Sequence, residues 1–330
     1  MKSNNIDMVK AAFHMQFKTA MENCGLSAND YFKKVNLPAE TIDPESLLPL
    51  KPFFHLINIV SINENIPDFG SLVAQTTPWH EVLSLGPLIE NSKNLKQLLE
   101  TFCEVASSQS SLVKFSLIDE DSHYCFSYSD VPIYKGDIQM ELYRITSMIQ
   151  LIHLATGDEW RPESIRLIMP QNKAVDASLL LTKSKIAFSQ KDSAISIQND
   201  FLQLPVKLKS TRKTDTDNNN RADQNADFAS SIRNIINTYS QTKIISIEET
   251  AGIADMSVRT LQRRLTDNGL KFNELLSQAK YEHAKEMLRD SQTPITEIAE
   301  SLGYSDAAHF TRAFHRWSGV SPTAFRKKAG

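Results

Sequence analysis

Apolar residues recur at helical spacing in residues 6–24, where Met8, Val9, Ala12, Phe13, Phe17, Ala20 and Met21 share one side, and this predicts an amphipathic helix. Short helical pieces should follow to about residue 85, interrupted at Pro38, Pro44, Pro49, Pro52 and Pro67. The texture changes from residue 93. Residues 94–107 read as a helix, and SSLVKFSLI and HYCFSYS alternate as two strands around the turn-forming IDEDS, which predicts a β-hairpin. Residues 137–155 form a second long helix, with Ile138, Leu142, Ile145, Ile149, Ile152 and Leu154 on its apolar side; strand-like SIRLIMP and AISIQ come after it. This first region is expected to be α+β.

Residues 207–227, KLKSTRKTDTDNNNRADQNAD, have almost no apolar side chain and no period, the signature of a flexible polar linker. Two domains are therefore expected, 1–205 and 228–330, with the linker at 206–227. The second domain has helix signals almost everywhere. Ser246 with Glu249 makes a capping box, while Thr293-Pro294 and Ser321-Pro322 place proline where a helix begins. It should be all-α.

Within that domain two segments share one plan. In residues 246–269 a short helix opens at Ile247 and packs through Ile253, a tight turn runs through Ala254, Asp255 and Met256, and Ser257 caps a second helix. There Leu261 and Leu265 are four apart and face inward, so Arg259, Gln262, Arg263 and Thr266 fall on the opposite side. Arg and Gln on one helix face suit the major groove, where Arg pairs bidentately with guanine and Gln with adenine. Residues 294–318 repeat the arrangement: Ile295, Ile298, Ala299 and Leu302 line a supporting helix, Gly303 supplies the turn, and Ser305 is expected to cap the next helix. Phe310, Phe314 and Trp317 point inward, leaving Ala307, Ala308, Thr311, Arg312 and His315 outward. A helix over residues 274–288 would hold the two units at a fixed separation, so that both recognition helices could enter major-groove faces about 34 Å apart.

Composition fits this picture, with 41% hydrophobic and 23% charged residues in 330, which is globular and long enough for two domains. Residues 228–330 carry 14 Lys+Arg against 11 Asp+Glu, a charge of +3, which leaves −6 for the rest of a chain whose net charge is −3. A mildly basic module joined to an acidic one agrees with nucleic-acid binding by the former. Cys24, Cys103 and Cys125 have neither CxxC pairing nor a His-rich partner segment, so no disulfide framework and no metal site are expected. The N-terminus lacks the apolar core of a secretory signal, and residues 53–62, the most apolar run, are far short of the roughly 20 needed to span a bilayer. A cytoplasmic protein with no membrane partner is expected.

The C-terminal residues resemble the AraC/XylS family of transcriptional regulators. The resemblance rests on Ile295, Ile298, Ala299 and Leu302, followed by Gly303, Tyr304, Ser305 and Asp306, then Phe310, Ala313 and Phe314, and closing with Gly319, Ser321, Pro322, Phe325 and Arg326. It implies an operator-binding regulator with recognition positions at Arg259, Gln262 and Arg263 and at His309, Thr311 and Arg312. The full DNA-facing set expected is Ser257, Arg259, Thr260, Gln262, Arg263 and Thr266 in the first unit, and Ser305, His309, Thr311, Arg312, His315 and Arg316 in the second. Two departures matter. Asp255 stands where the turn commonly has glycine, a change Asp can tolerate in the left-handed region. Ala307 and Ala308 stand where some members carry long polar groups, so the second unit should read fewer base edges.

The acidic domain resembles more loosely the N-terminal domain of the family branch that includes the ornithine-utilisation regulators, through its order of elements and segments such as LSLGPLIENSKNLKQLLETF. That implies a sensor or dimerisation domain. Trp79, His80, Tyr143, Arg144 and His153 are the candidate effector-binding residues, with Trp160 and Arg161 beside them; each is also an ordinary packing or boundary residue. No GxGxxG before a helix, Walker loop, HExxH or GxSxG occurs, so no enzyme and no cofactor are expected. The leading expectation is a DNA-binding regulator, an activator acting with RNA polymerase, in which a small-molecule effector binds the first domain and a homodimer forms. The alternatives are a first domain that only dimerises or meets a protein partner, and an enzyme domain fused to a DNA-binding tail.

Overall fold

A computed structural model describes residues 6–39, 43–44, 46–79, 86–109, 113–129, 137–207, 227–240, 244–290 and 292–329. The polar stretch read as a linker falls almost wholly outside the described residues, as does His80. The chain forms two compact units, neither of them contiguous in sequence. One comprises Ala12–Val35 and Pro52–Asn225; the other comprises Met1–Ala11, Asn36–Lys51 and Ala226–Gly330.

The helix expected over residues 6–24 is shorter than its pattern. Met8–Lys10 form a strand, β1, and α1 spans Ala12–Asn23. The reason is long-range: β1 pairs antiparallel with β2, Leu47–Pro49, with Val9 opposite Leu48, and ladder bonds to a distant strand outweigh local helical preference. Pro49 sits inside β2, and Pro52 lies in the first turn of α3, Lys51–Asn63, where a missing N–H costs nothing.

The unit of Ala12–Val35 and Pro52–Asn225 contains α1, α2 (Ala28–Lys34), the rest of α3, α4 (Phe69–Thr76), α5 (Gly86–Asn91) and α6 (Leu95–Gln109). It continues through β3 (Lys114–Asp119), β4 (His123–Ser129), α7 (Ile138–Thr156), β5 (Ser164–Arg166), α8 (Lys173–Ala177), β6 (Lys185–Ala187), β7 (Ser193–Gln198) and α9 (Asn199–Leu202). The expected hairpin is β3–β4, with Phe115 opposite Tyr128 and Asp121 left-handed in its turn. The sheet order is β3-β4-β7-β5-β6, antiparallel except for the β5–β6 pair.

Helix α7 is the centre of this unit, with Asp137 capping its start by accepting from Met140 N. The sequence shows one apolar side, yet 14 of its 19 residues are buried, so the polar side must also be satisfied by protein partners. Gln139 accepts from Gly70 N at 2.8 Å and donates to Pro67 O at 2.7 Å, and Thr146 meets Ser71 at 2.8 Å. Helix α4 crosses α7 so closely that a Cβ on Gly70 would lie 2.0 Å from the Gln139 carbonyl oxygen, and only glycine fits there.

In the other unit, α10 (Phe228–Ser240) packs on β2: Thr238 donates to Leu47 O at 3.2 Å and Tyr239 to Asn36 O at 2.8 Å. Six further helices follow, α11 (Ile247–Ile253), α12 (Val258–Asp267), α13 (Phe272–Asp290), α14 (Ile295–Ser301), α15 (Ala307–Ser318) and α16 (Pro322–Ala329). The α+β region and the all-α region expected from sequence are both present.

Candidate nucleic-acid interface

The first helix-turn-helix is α11–α12. Ser246 accepts from Glu249 N while the Glu249 side chain accepts from Ser246 N, so both ends of the capping box are formed. The turn places Asp255 at φ 53°, the left-handed conformation its short polar side chain tolerates. Ser257 caps α12 by accepting from Thr260 N at 3.1 Å. Leu261 and Leu265 are buried, and Arg259, Gln262, Arg263 and Thr266 are exposed on the other side. Thr260 is half-buried, its hydroxyl bonded to Ser257 Oγ at 2.8 Å, and the Thr266 hydroxyl is spent on Gln262 O. Arg264, by contrast, lies 3.8 Å from the centroid of the Phe228 ring and is turned from the exposed row; burial, with the neighbouring Arg263 charge, lowers its pKa.

The second unit is α14–α15. Ile298, Ala299, Leu302, Phe310 and Phe314 are buried together with Ala284 and Leu288 of α13, and Trp317 and Phe325 pack against them. Gly303 turns the chain at φ 72°, where a Cβ would crowd Ile244 at 3.2 Å. The expected Ser305 cap is corrected by one residue. Asp306 caps α15, accepting from His309 N at 2.7 Å, and Ser305 lies one position too early to reach the helix N–H groups. Ser305 instead meets His309 Nδ1 at 3.0 Å. The bond from His309 N, aided by the His309 charge, holds the Asp306 carboxyl below its usual range. Sequence reasoning missed Asp306, although its place directly before Ala307 carried the signal.

His309, Arg312, His315 and Arg316 are exposed, and so is Ala308, whereas Thr311 is half-buried with its hydroxyl bonded to Ala307 O at 2.7 Å. Arg259, Arg263 and Arg312 form no ion pair among the described residues, so their charge is available to an external anion. Arg326 donates to Thr293 O at 2.6 Å and Phe325 stacks edge-on to Phe314, which gives the closing Phe-Arg pair a structural role.

The candidate effector residues divide differently. Trp79 donates to the Tyr143 hydroxyl at 3.1 Å, which donates to Gln16 at 2.9 Å, a buried chain closed within the protein. His153 bonds the Trp160 carbonyl at 3.0 Å and meets the Trp160 ring edge-on, and Arg161 donates to the Asp158 and Trp160 carbonyls. Among the described residues the Arg144 side chain shows no hydrogen bond; it is buried beside the rings of Phe54 and Tyr128.

Two helix-turn-helix units, each with a capped second helix carrying unpaired cations outward, define a DNA-binding protein of the tandem type. Residues 250–328 match the helix-turn-helix domain model, and residues 25–206 match the model of the arabinose-binding N-terminal domain of the AraC transcription regulator. The chain belongs to the AraC family of transcriptional regulators. It is 41% identical over 81 residues to the HTH-type transcriptional regulator VqsM of Pseudomonas aeruginosa, covering 24% of this chain and 25% of that protein. It is 33% identical over 81 residues to the ornithine utilization regulator of the same organism, covering 24% of each. These matches span about a quarter of the relatives' length. The crystal structure of transcriptional regulator CdpR from Pseudomonas aeruginosa aligns with 91% of this chain and 96% of its own, at 16% identity and a TM-score of 0.37. No helix among the described residues is long and apolar enough to cross a membrane.

Proposed function

We propose that this regulator binds a specific double-stranded operator as a homodimer and activates transcription with RNA polymerase in response to a small-molecule effector held by its N-terminal domain. The observation that carries the DNA-binding part is the exposed row Arg259, Gln262 and Arg263 on α12, capped at Ser257 and anchored through Leu261 and Leu265. Activation is the commoner mode of the family, and the match of residues 25–206 to a ligand-binding domain supports an effector.

The unequal polarity of the two helices supports unequal roles, base reading by α12 and backbone or thymine-methyl contact by α15, where the exposed small side chain is Ala308 and Ala307, expected to face outward, packs half-buried against the core. In a binding-site selection, Arg263→Ala should cost about 1–3 kcal/mol and relax preference at one base pair, as loss of a bidentate contact does. Arg312→Ala should weaken all sequences evenly and flatten the salt dependence. An unchanged base preference in Arg263→Ala would overturn the assignment of α12. A second reading, a first domain that only dimerises or binds a protein, is favoured by one observation: Trp79, Tyr143 and His153 spend their polar atoms on protein partners.

A further inference from the structure

Among the buried polar residues of α7, Arg144 differs from its neighbours. Gln139, Glu141, Thr146 and Ser147 each make a side-chain hydrogen bond to a protein group, as buried polar atoms ordinarily do. Arg144 is 8% exposed and forms no ion pair among the described residues; its guanidinium carbon lies 5.6 Å from the ring centroids of Phe54 and of Tyr128. Those ring faces attract a cation, but they accept none of the five N–H donors an arginine carries in hydrogen-bond geometry.

The nearest carboxylate along the helix does not fill the gap. Glu141, three residues earlier, spends its carboxyl on Ile168 N at 2.8 Å and on the Ser193 hydroxyl and makes no direct ion pair with Arg144; burial raises its pKa, while those hydrogen bonds and the Arg144 charge pull it down. Beside Arg144 a second buried group is also unfilled: the Tyr128 hydroxyl has no partner in hydrogen-bond geometry, with Ser193 and Arg144 as its polar neighbours. A buried charge without a counter-ion is costly, and a planar five-donor fork is shaped for a carboxylate.

We infer that Arg144, assisted by the Tyr128 hydroxyl, anchors the carboxylate of a small organic acid inside the sensor unit, and that this acid is the effector. The inference rests on the effector-binding reading proposed above. A monocarboxylate matches the one unpaired charge, and the Phe54 and Tyr128 rings suit an apolar body attached to it. A phosphate dianion would bring a second negative charge with no second cation beside Arg144 to meet it, and a neutral polyol would leave the guanidinium uncompensated.

The test uses the full-length protein in thermal-shift and calorimetric titrations with benzoate and hexanoate, their neutral amides benzamide and hexanamide, inorganic phosphate, and L-arabinose. At least one carboxylate should raise Tm while its amide does not, and Arg144→Met should lose that shift. Tyr128→Phe, which keeps the ring and removes only the hydroxyl, should weaken the same carboxylate about tenfold, the scale of one hydrogen bond to a charged group; it also carries the test if Arg144→Met does not fold. A purely structural role would lower Tm in both variants and leave the ligand-induced shift intact, which overturns the inference. So does equal binding of acid and amide, or binding by none of the probes. Stabilisation by arabinose or phosphate instead would overturn the carboxylate and leave the sensor reading standing. That reading is decided separately, by whether the protein purified from cells carries any small molecule in native mass spectrometry.

Discussion

Burial lowers the pKa of His153 below its ordinary 6.5, and the neighbouring Arg161 charge adds to the effect. The unfolded chain therefore takes up this proton before the folded one does as pH falls. The stabilising contribution of the neutral ring is fully present above about pH 6.5 and is lost as pH drops through the lower folded value. His153→Gln retains an amide donor for the Trp160 carbonyl and has no charge to gain, so thermal melts from pH 7.5 to pH 5 should show a shallower fall in Tm than wild type. Equal slopes would mean that His153 is not the group responsible. A second residue-scale expectation concerns the start of α15. Asp306→Ala removes the acceptor for His309 N and should lower the denaturation midpoint of the DNA-binding unit, whereas Ser305→Ala should change little; denaturant melts of the two variants decide between Asp306 and Ser305 as the cap.

At the scale of elements, the crossing of α4 and α7 is set by backbone contact and not by side-chain fit. Gly70→Ala would place a methyl carbon against the Gln139 carbonyl, so the helices must separate and break the Gly70 N–Gln139 bond. A loss on the order of 1–3 kcal/mol is expected from overpacking, measurable as a lower denaturation midpoint with retained helical content. Nothing in the sequence marks this glycine. Long elements were legible because many residues repeat a period: residues 94–107 became Leu95–Gln109, and residues 137–155 became Ile138–Thr156. Strands β1, β2 and β6 have three residues each, too few for a period, and their pairing is fixed by partners elsewhere in the chain. The exposed arginine row of α12 was legible for the same reason as the helix itself, since Leu261 and Leu265 fix which side faces inward. What stayed hidden was the polar side of α7, because partners such as Ser71, Ile168 and Ser193 are distant in sequence, and the unfilled Arg144 is visible only once they are in place.

For the whole molecule, the covalent layout bears on how the effector signal proposed above would reach DNA. The chain passes between its two units at residues 11/12, 35/36, 51/52 and 225/226. Only the last of these lies in the polar stretch 206–227, whose composition predicts a flexible chain that sets reach but transmits little strain. At two others there is hardly any slack: β1 ends at Lys10 and α1 begins at Ala12, while β2 ends at Pro49 and α3 begins at Lys51. The β1–β2 pair in turn holds α10 through Leu47. An effector can shift operator affinity only by its differential affinity for two states of the protein, typically about 5–150-fold, and operator DNA must tighten effector binding by the same factor. If the tight crossings carry this coupling, lengthening residues 206–227 with a Gly-Ser insert should leave the factor nearly unchanged. Inserting two glycines between Pro49 and Lys51 should reduce it toward one while operator affinity without effector persists. Titrating effector into the free and operator-bound protein, for wild type and both insertion variants, measures the factor each time. A coupling abolished by the Gly-Ser insert and untouched by the glycine pair would assign it to the polar linker instead.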